Sequence, residues 1–431
     1  MRPPSVDALA RSLVDTGLPH PLLVAAARKA IAEAASDHVS DHHIVDRARQ
    51  HAFASKRAML QPVINATGVL LHTNLGRAPL ATTTEAVYTN LELDLVSGER
   101  GSRHAHAASL LAQLCGAEDA IVVNNCAGAV MLVLAALANR RGAVVSRGEL
   151  VEIGGGFRVP EVMMQSGAHL VEVGTTNRTH LGDFTTALHN PTHNIALALK
   201  VHQSNYRIVG FTQQVSVAEM ASLEVPVVAD IGSGLIDAAC PWLENGPPIW
   251  LEGEPAARQC LDAGAALVTF SGDKLFGGPQ AGIIAGQAHL VRQCAQHPLA
   301  RALRPGGLVL GAVQQVALAY LNRNPQAIEF WRMACISPAH LQERAEAIAN
   351  RANHTTAIRP TPTTAITGGG TLPGVEIPSF GLVLDGNHAA ALRAHSPPVV
   401  AHVRDDCTWL DLRTVAPSQD EPLTQALRAV A

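Results

Sequence analysis

Between residues 61 and 325 the sequence alternates short apolar runs with longer stretches of helical spacing. The runs that predict strands are 121–123, 143–146, 169–173, 195–201 and 225–231. Strands that alternate with helices pair into a mostly parallel sheet with helices packed on its faces. The sequence therefore predicts an α/β fold, in which ligands bind beyond the carboxyl ends of the strands.

Different patterns flank this region. Residues 1–60 repeat apolar side chains at helical spacing on both sides of a breaker at 17–21, which predicts a small helical module. After residue 325 the sequence predicts a helix at 341–352, a linker rich in Thr, Pro and Gly at 360–374, and short strands at 380–384, 399–403 and 408–412. We therefore expect three domains: 1–60 helical, 61–325 α/β, and 326–431 a small α+β domain.

A glycine-rich turn, SGDKLFGGPQAG at 271–282, separates the apolar runs 266–270 and 283–285. Such runs are typical of buried strands, so the turn holds Lys274 at the mouth of a sheet. A desolvated amine loses part of its preference for a proton, and only the neutral amine attacks an aldehyde to form a Schiff base. The alternative is an ordinary surface lysine in a hairpin.

Two more segments favour the covalent role. The run at 225–231 delivers Asp230 before a glycine-rich loop, and a carboxylate buried there needs a cationic partner, which the pyridinium nitrogen of pyridoxal phosphate supplies. Asn124, Asn125, Cys126 and Ala127 follow another strand and precede an apolar helix, where backbone amides bind an anion such as the cofactor phosphate. The order phosphate turn, aspartate, lysine predicts a pyridoxal phosphate site.

Long segments match one known family. They are INATG at 64–68, LHTNLGRAPL at 71–80, VSRGELVEIGG at 145–155, VGTTNRT at 173–179, KVHQSNY at 200–206 and the lysine turn. Over nearly its whole length the chain resembles the bacterial selenocysteine synthases, or L-seryl-tRNA(Sec) selenium transferases. These are fold-type I pyridoxal-phosphate enzymes.

The resemblance implies roles for particular residues. Lys274 becomes the Schiff-base lysine and Asp230 the partner of the ring nitrogen, while Arg77, Arg301 and Arg304 hold the anionic selenium donor. It also implies the reaction: seryl-tRNA(Sec) becomes selenocysteinyl-tRNA(Sec) with selenophosphate, through a cofactor-bound aminoacrylyl intermediate. The family uses an N-terminal helical domain to contact tRNA and forms rings of dimers, so a homodecamer is implied.

The chain departs from the family pattern at two places. Cys126 stands where the family has a third asparagine, and Pro305-Gly306-Gly307 where it has an Asp-Lys pair. A second reading is therefore a pyridoxal-phosphate lyase acting on a small amino acid or an amino-sugar phosphate, whose phosphate the arginines hold. A third is a tRNA-binding protein without catalysis, which the presence of Lys274 and Asp230 disfavours.

Composition is compatible with these readings. The net charge of −4, and eight basic against six acidic side chains in residues 1–60, give only a weak signal for nucleic-acid binding. The seven cysteines lack paired zinc spacing and are typical of reduced thiols. With neither a signal peptide nor a membrane-spanning run predicted, we expect a cytoplasmic protein.

Several polar residues allow two interpretations. His38, His42, His43 and His51 have helical spacing but no accompanying thiols or carboxylate set, so we expect exposed helix residues and no metal. His72 is either a proton donor or the cap of a turn. Tyr206 lines the cofactor pocket or is a buried, hydrogen-bonded tyrosine, and the role of Arg147 is open.

Overall fold

The computed structural model describes residues 4–37, 42–80, 88–153, 156–352 and 358–430. Contacts divide the chain into two compact units, Met1–Ile64 with Ser396–Pro398, and Asn65–His395 with Val399–Ala431. His38 and the glycines at 154–155 lie outside the described residues. The helices are α1 Val6–Arg11, α2 His20–Asp37, α3 His42–Arg57, α4 Ala107–Cys115, α5 Cys126–Leu137, α6 Val159–Gln165, α7 Leu181–Leu188, α8 Val217–Met220, α9 Ala257–Asp262, α10 Ala288–Gln296, α11 Pro298–Ala302, α12 Gly307–Leu321, α13 Glu329–Ala334, α14 Pro338–Ala352, α15 Ala389–Ala394 and α16 Asp420–Val430.

The first unit is helical, as the apolar spacing predicts. Its helices α1, α2 and α3 bury Leu9, Leu13, Leu23 and Ile44 against one another. Alanines at 26, 27, 30, 48 and 52 are buried in the same cluster, and their small side chains let the helix backbones approach closely. Gly17, at φ 74°, ends the turn before α2, which is the left-handed conformation that glycine adopts at little cost.

After a short strand, β1 Ile64–Asn65, the chain forms a seven-stranded sheet at the centre of the second unit. Its strands are β2 Asp119–Val123, β3 Gly142–Ser146, β6 His169–Val173, β7 Ile195–Val201, β8 Val227–Gly232, β9 Leu267–Ser271 and β10 Gly282–Gly286, in the order β2-β10-β9-β8-β7-β3-β6. Only β10 runs antiparallel to its neighbours in this sheet. The predicted mostly parallel sheet is therefore confirmed. A short hairpin, β4 Glu152–Ile153 and β5 Phe157–Arg158, follows β3.

Helices cover both faces of this sheet, because its strands are apolar on both sides. One face packs against α5, α6 and α10 through residues such as Val130, Met163 and Val291. The other packs against α4 and α9, and α12 packs on α4, with Leu111 and Val313 in the same apolar cluster. Among the described residues, no helix is long and apolar enough to cross a membrane. Nor does this part of the chain bring together three His, Cys, Asp or Glu side chains that could hold a metal ion.

The C-terminal part carries a four-stranded antiparallel sheet. Its strands are β11 Ile358–Gly368, β12 Thr371–Asp385, β14 His402–Arg404 and β15 Cys407–Asp411, in the order β11-β12-β15-β14, and a short strand β13 Val399–Val400 precedes β14. The linker expected at 360–374 is wrong, because most of that segment lies in β11 and β12. Its prolines at 360 and 362 are tolerated because β11 is an edge strand. A domain boundary at 325 stays a prediction.

Candidate active site

Lys274 lies in the loop 272–281 that joins β9 to β10. Its side chain is buried, and the loop is held by backbone bonds from Leu275 N to Ser233 O (2.9 Å) and from Gly277 N to Lys274 O (2.8 Å). Burial lowers the pKa of Lys274, and the positive charge of Arg77 lowers it further, against the opposing effects of Cys126 and nearby carboxylates. The loop therefore presents a fixed amine that gives up its proton more readily than a surface lysine.

Asp230 lies near the carboxyl end of β8 and is also buried. Its Oδ1 accepts hydrogen bonds from Thr269 Oγ1 (2.9 Å) and from Cys126 Sγ (3.4 Å). Burial raises the pKa of Asp230, although these two donors and the charge of Lys274 act in the opposite direction. Because both donors from the described residues reach Oδ1, Oδ2 is the oxygen that a cationic partner would contact.

The turn between β2 and α5 forms a third side of the site. Asn125 is the N-cap of α5, with its side-chain oxygen accepting a bond from Gly128 N (2.8 Å), and Cys126 and Ala127 begin the helix. Backbone amides at such a helix start favour an anion. Strand β10 passes close by: a Cβ on Gly282 would lie 2.1 Å from Asn125 O, so only glycine fits there.

One cavity of about 220 Å³ unites residues that the sequence places far apart. It is lined by Arg77, Asn125, Cys126, Ala127, Val130, Asp230, Gly232, Ser271, Lys274 and Gln280. The cavity thus offers a buried amine for an aldehyde, a buried carboxylate for a ring nitrogen and a helix N-terminus for a phosphate. These residues fit pyridoxal phosphate.

Asn124 takes a different position from its neighbours. Its backbone N donates to Leu303 O (2.9 Å). When the side-chain amide is oriented with its nitrogen facing the carbonyls of Leu303 and Arg304, that nitrogen donates to Leu303 O (3.1 Å) and Arg304 O (3.2 Å). The side chain does not line the cavity. Asn124 therefore ties the start of α5 to the loop that follows α11.

The three arginines assigned to the donor do not all meet at the cavity. Arg77 lines it in the left-handed conformation (φ 64°), and its Nη1 donates to Asp273 Oδ2 (2.7 Å). Arg77 Nε is buried without a hydrogen-bond partner among the described residues, so it is available to a ligand. Arg301 is exposed on α11, and Arg304 Nη1 lies 3.4 Å from Glu92 Oε1; neither lines this cavity.

The residues with two interpretations also have definite places. His72 makes no side-chain cap bond at the turn 73–75, and its Nδ1 is buried without a partner among the described residues. Tyr206 donates from its hydroxyl to Gly148 O (3.0 Å), as a hydrogen-bonded tyrosine does, and lines a second cavity of about 660 Å³ whose lining also includes Asp230. Arg147 pairs with Glu172 (3.1 Å) at the surface. His51 Nε2 lies 2.8 Å from Glu33 Oε2.

Sequence reasoning missed Thr269 and Asp273. Thr269 lies directly opposite Asp230 on adjacent parallel strands, and this register places both side chains on the same face. Strand alternation would have pointed to Thr269 once β8 and β9 were known to be neighbours. Asp273 immediately precedes Lys274, but its bond to Arg77 joins two segments 196 residues apart, which no local pattern reveals.

Comparisons with known proteins identify the family. A family model described as SelA, L-seryl-tRNA selenium transferase, matches residues 63–416. The chain belongs to this family. Its L-seryl-tRNA(Sec) selenium transferase relatives include those of Moorella thermoacetica, 47% identical over 86% of this chain and 82% of the relative, and of Geobacter sulfurreducens, 40% identical over 99% and 96%.

The fold has a counterpart among solved structures. D-glucosaminate-6-phosphate ammonia-lyase superimposes with a TM-score of 0.57 over 88% of this chain and 97% of that chain, at 19% identity. Identity at that level supports a shared fold. The family model and the relatives confirm the selenium transferase resemblance seen in the sequence, and the fold-type I architecture agrees with the observed sheet.

Proposed function

We propose that the chain converts L-seryl-tRNA(Sec) to L-selenocysteinyl-tRNA(Sec), with selenophosphate as the selenium donor and pyridoxal phosphate as the cofactor. One observation carries the proposal: in a member of this family, Lys274, Asp230 and the start of α5 line one cavity. The names of the relatives support the seryl-tRNA(Sec) substrate.

In the reaction the β-hydroxyl of the serine group leaves as water, selenium from selenophosphate bonds to the β-carbon, and hydrolysis of the phosphorus–selenium bond releases phosphate. Bound pyridoxal phosphate supplies an electron sink for the bond broken at the α-carbon. Lys274 Nζ, whose pKa is lowered by burial, would hold the cofactor aldehyde. Once the serine amine takes its place there, the freed Nζ would accept the α-proton. Asp230 Oδ2 would keep the ring nitrogen protonated, and Asn125, Cys126 and the amides after them would hold the phosphate.

The anionic donor requires cationic side chains. Arg77 is the cavity residue suited to that task, because its guanidinium is held by Asp273 while Nε stays unpaired among the described residues. We assign Arg301 and Arg304 to the same donor at a position beyond the cavity lining. Arg304 O is bonded to the Asn124 amide, which keeps that loop beside α5.

Partners beyond the active site follow from the same proposal. The helical unit Met1–Ile64 has its own apolar core, as a separable tRNA-reading part would need. A homo-oligomer, by analogy a decamer, would combine the modest basic surface of each chain. All seven cysteines are free, which suits a reducing cytoplasm.

A direct assay tests this function. Full-length protein loaded with pyridoxal phosphate, given seryl-tRNA(Sec) and radiolabelled selenophosphate, should produce selenocysteinyl-tRNA. Lys274→Ala should remove both the product and the visible absorbance of the lysine-bound cofactor, while circular dichroism shows a folded protein. Release of ammonia from a small amino acid or amino-sugar phosphate without selenium transfer would instead indicate the lyase.

A further inference from the structure

The side chain of Cys126 joins two sides of the cofactor cavity. Cys126 begins α5, where backbone amides favour a phosphate, and its Sγ donates to Oδ1 of Asp230, near the carboxyl end of β8 (3.4 Å). The two residues lie 104 positions apart in the sequence, and both line the cavity. The thiol therefore links the phosphate side of the site to the side where the ring nitrogen is expected.

The sulfur of Cys126 keeps its proton at neutral pH. Burial, and then the negative charge of Asp230, raise the pKa of the thiol well above its usual range, although Lys274 acts in the opposite direction. A protonated thiol is a weak hydrogen-bond donor, but its bond is stronger when the acceptor is an ionised carboxylate. Cys126 is therefore suited to donating to Asp230.

Two donors from different elements hold the same oxygen of Asp230. Thr269 Oγ1, on β9, donates to Oδ1 at 2.9 Å, and Cys126 Sγ reaches the same atom from α5. The position of Oδ2 therefore depends on both donors. Asparagine, which the family has at position 126, also carries a side-chain donor, so this chain keeps a donor where it departs from the family pattern.

We propose that Cys126 is a positioning residue for Asp230, whose thiol holds the carboxylate so that Oδ2 faces the ring nitrogen of pyridoxal phosphate. The inference rests on the proposed function for the placement of the cofactor. This role belongs to the side chain alone, because the backbone amides at the start of α5 would bind the phosphate whatever side chain stands at position 126. Removal of the thiol should therefore weaken cofactor binding through Asp230.

Titration of cofactor-free, full-length protein with pyridoxal phosphate tests the proposal. The absorbance of the lysine-bound cofactor gives the dissociation constant, which Cys126→Ala should raise about three- to tenfold, as the loss of one weak donor to a carboxylate implies. Cys126→Ser keeps a donor and should stay within about twofold of wild type. Cys335→Ala is the matched control, because Cys335 is exposed and does not line the cavity. Unchanged affinity in Cys126→Ala, shown to be folded by circular dichroism, would overturn the proposal.

A double-mutant cycle separates positioning from packing. If Cys126 acts through Asp230, adding Cys126→Ala to Asp230→Asn should change the dissociation constant less than about twofold, because the carboxylate that the thiol orients is already gone. Additive losses would instead show that the thiol acts independently of Asp230. These titrations use neither tRNA nor selenophosphate, so their failure would leave selenium transfer untouched, and a failed transfer assay would leave the coupling of the two side chains untouched.

Discussion

Asp230 and Lys274 are both buried in one cavity, and burial moves their pKa values in opposite directions. Each group is thereby pushed towards its neutral form in the absence of ligand. A bound pyridinium would reverse this for Asp230, because an adjacent cation favours the carboxylate. The site thus holds an unfavourable arrangement of polar groups that the cofactor relieves.

The pH dependence of stability should reveal this arrangement. The folded-state pKa of Asp230 is raised above the ordinary aspartate value of 3.8, so its contribution to stability is present below about pH 4 and is lost as the pH rises. In cofactor-free protein, Asp230→Asn should therefore gain stability relative to wild type between about pH 4 and pH 7. Urea unfolding at several pH values measures this.

Asp385→Asn is a control of opposite sign. Arg359 lowers the pKa of Asp385, so its carboxylate contributes stability above about pH 4 that is lost as the pH falls. The Asn variant should then lose stability relative to wild type as the pH rises. If the free energy of unfolding of Asp230→Asn instead fell relative to that of wild type as the pH rose from about 4 to 7, the burial argument would be contradicted.

Arg77 permits a test of donor binding. Arg77→Ala removes a charge-assisted contact worth about 1.5–3 kcal/mol, so use of selenophosphate should fall by about one to two orders of magnitude. Binding of seryl-tRNA(Sec) should persist. Arg140, an exposed arginine with φ 57°, is the matched control for backbone conformation. Steady-state kinetics in each substrate would refute the assignment if Arg77→Ala raised only the KM for seryl-tRNA(Sec).

At the scale of elements, β10 passes close to the start of α5, where we propose that the cofactor phosphate binds. Gly282→Ala would place a Cβ 2.1 Å from Asn125 O and 2.9 Å from Cys126 N. Backbone atoms must then shift, so we expect a loss of about 1–3 kcal/mol in the free energy of unfolding and at least about tenfold weaker cofactor binding. Denaturant unfolding and cofactor titration measure the two effects.

Gly311→Ala is the control for that change. Gly311 lies exposed inside α12, and a Cβ added there would meet no neighbouring atom within 4 Å, so alanine should stabilise the helix by up to about 1 kcal/mol. Cofactor affinity should stay unchanged. Normal affinity in Gly282→Ala would show that the start of α5 does not hold the phosphate.

Two strands are predicted at their observed bounds. The apolar run of β7 is buried almost throughout, whereas β6 is partly exposed and is marked by apolar residues between turn residues. The prediction for 360–374 is wrong because prolines and glycines usually mark loops, whereas here they lie along an edge strand and its hairpin. An edge strand that contains proline can be told from a loop only when the strand that pairs with it is known.

At the scale of the whole molecule, the site residues differ in whether a local sequence pattern can reveal them. Lys274 and Asp230 each stand in a local sequence motif, and both line one cavity. Arg304 and Glu92 lie 212 residues apart and meet only through tertiary packing, so no spacing could show that Arg304 pairs with a carboxylate.

The helical unit provides a test of how the protein reads tRNA. Its helices bury an apolar cluster of their own, so deletion of residues 1–55 should leave the remaining chain folded and able to bind cofactor. Affinity for tRNA(Sec) should fall strongly, because contacts to the nucleic-acid backbone position the substrate. A gel-shift assay with unchanged affinity would place the tRNA site elsewhere.

The reversed direction of β10 has a thermodynamic consequence. Because β10 runs against β9 and β2, the loop with Lys274 leaves and re-enters the sheet at the edge where α5 begins. The loop is anchored at both ends and hydrogen-bonded within, so its main chain has little conformational entropy left to lose. Ligand capture then gains from preorganisation, and the loop should have nearly the same conformation with and without its cofactor.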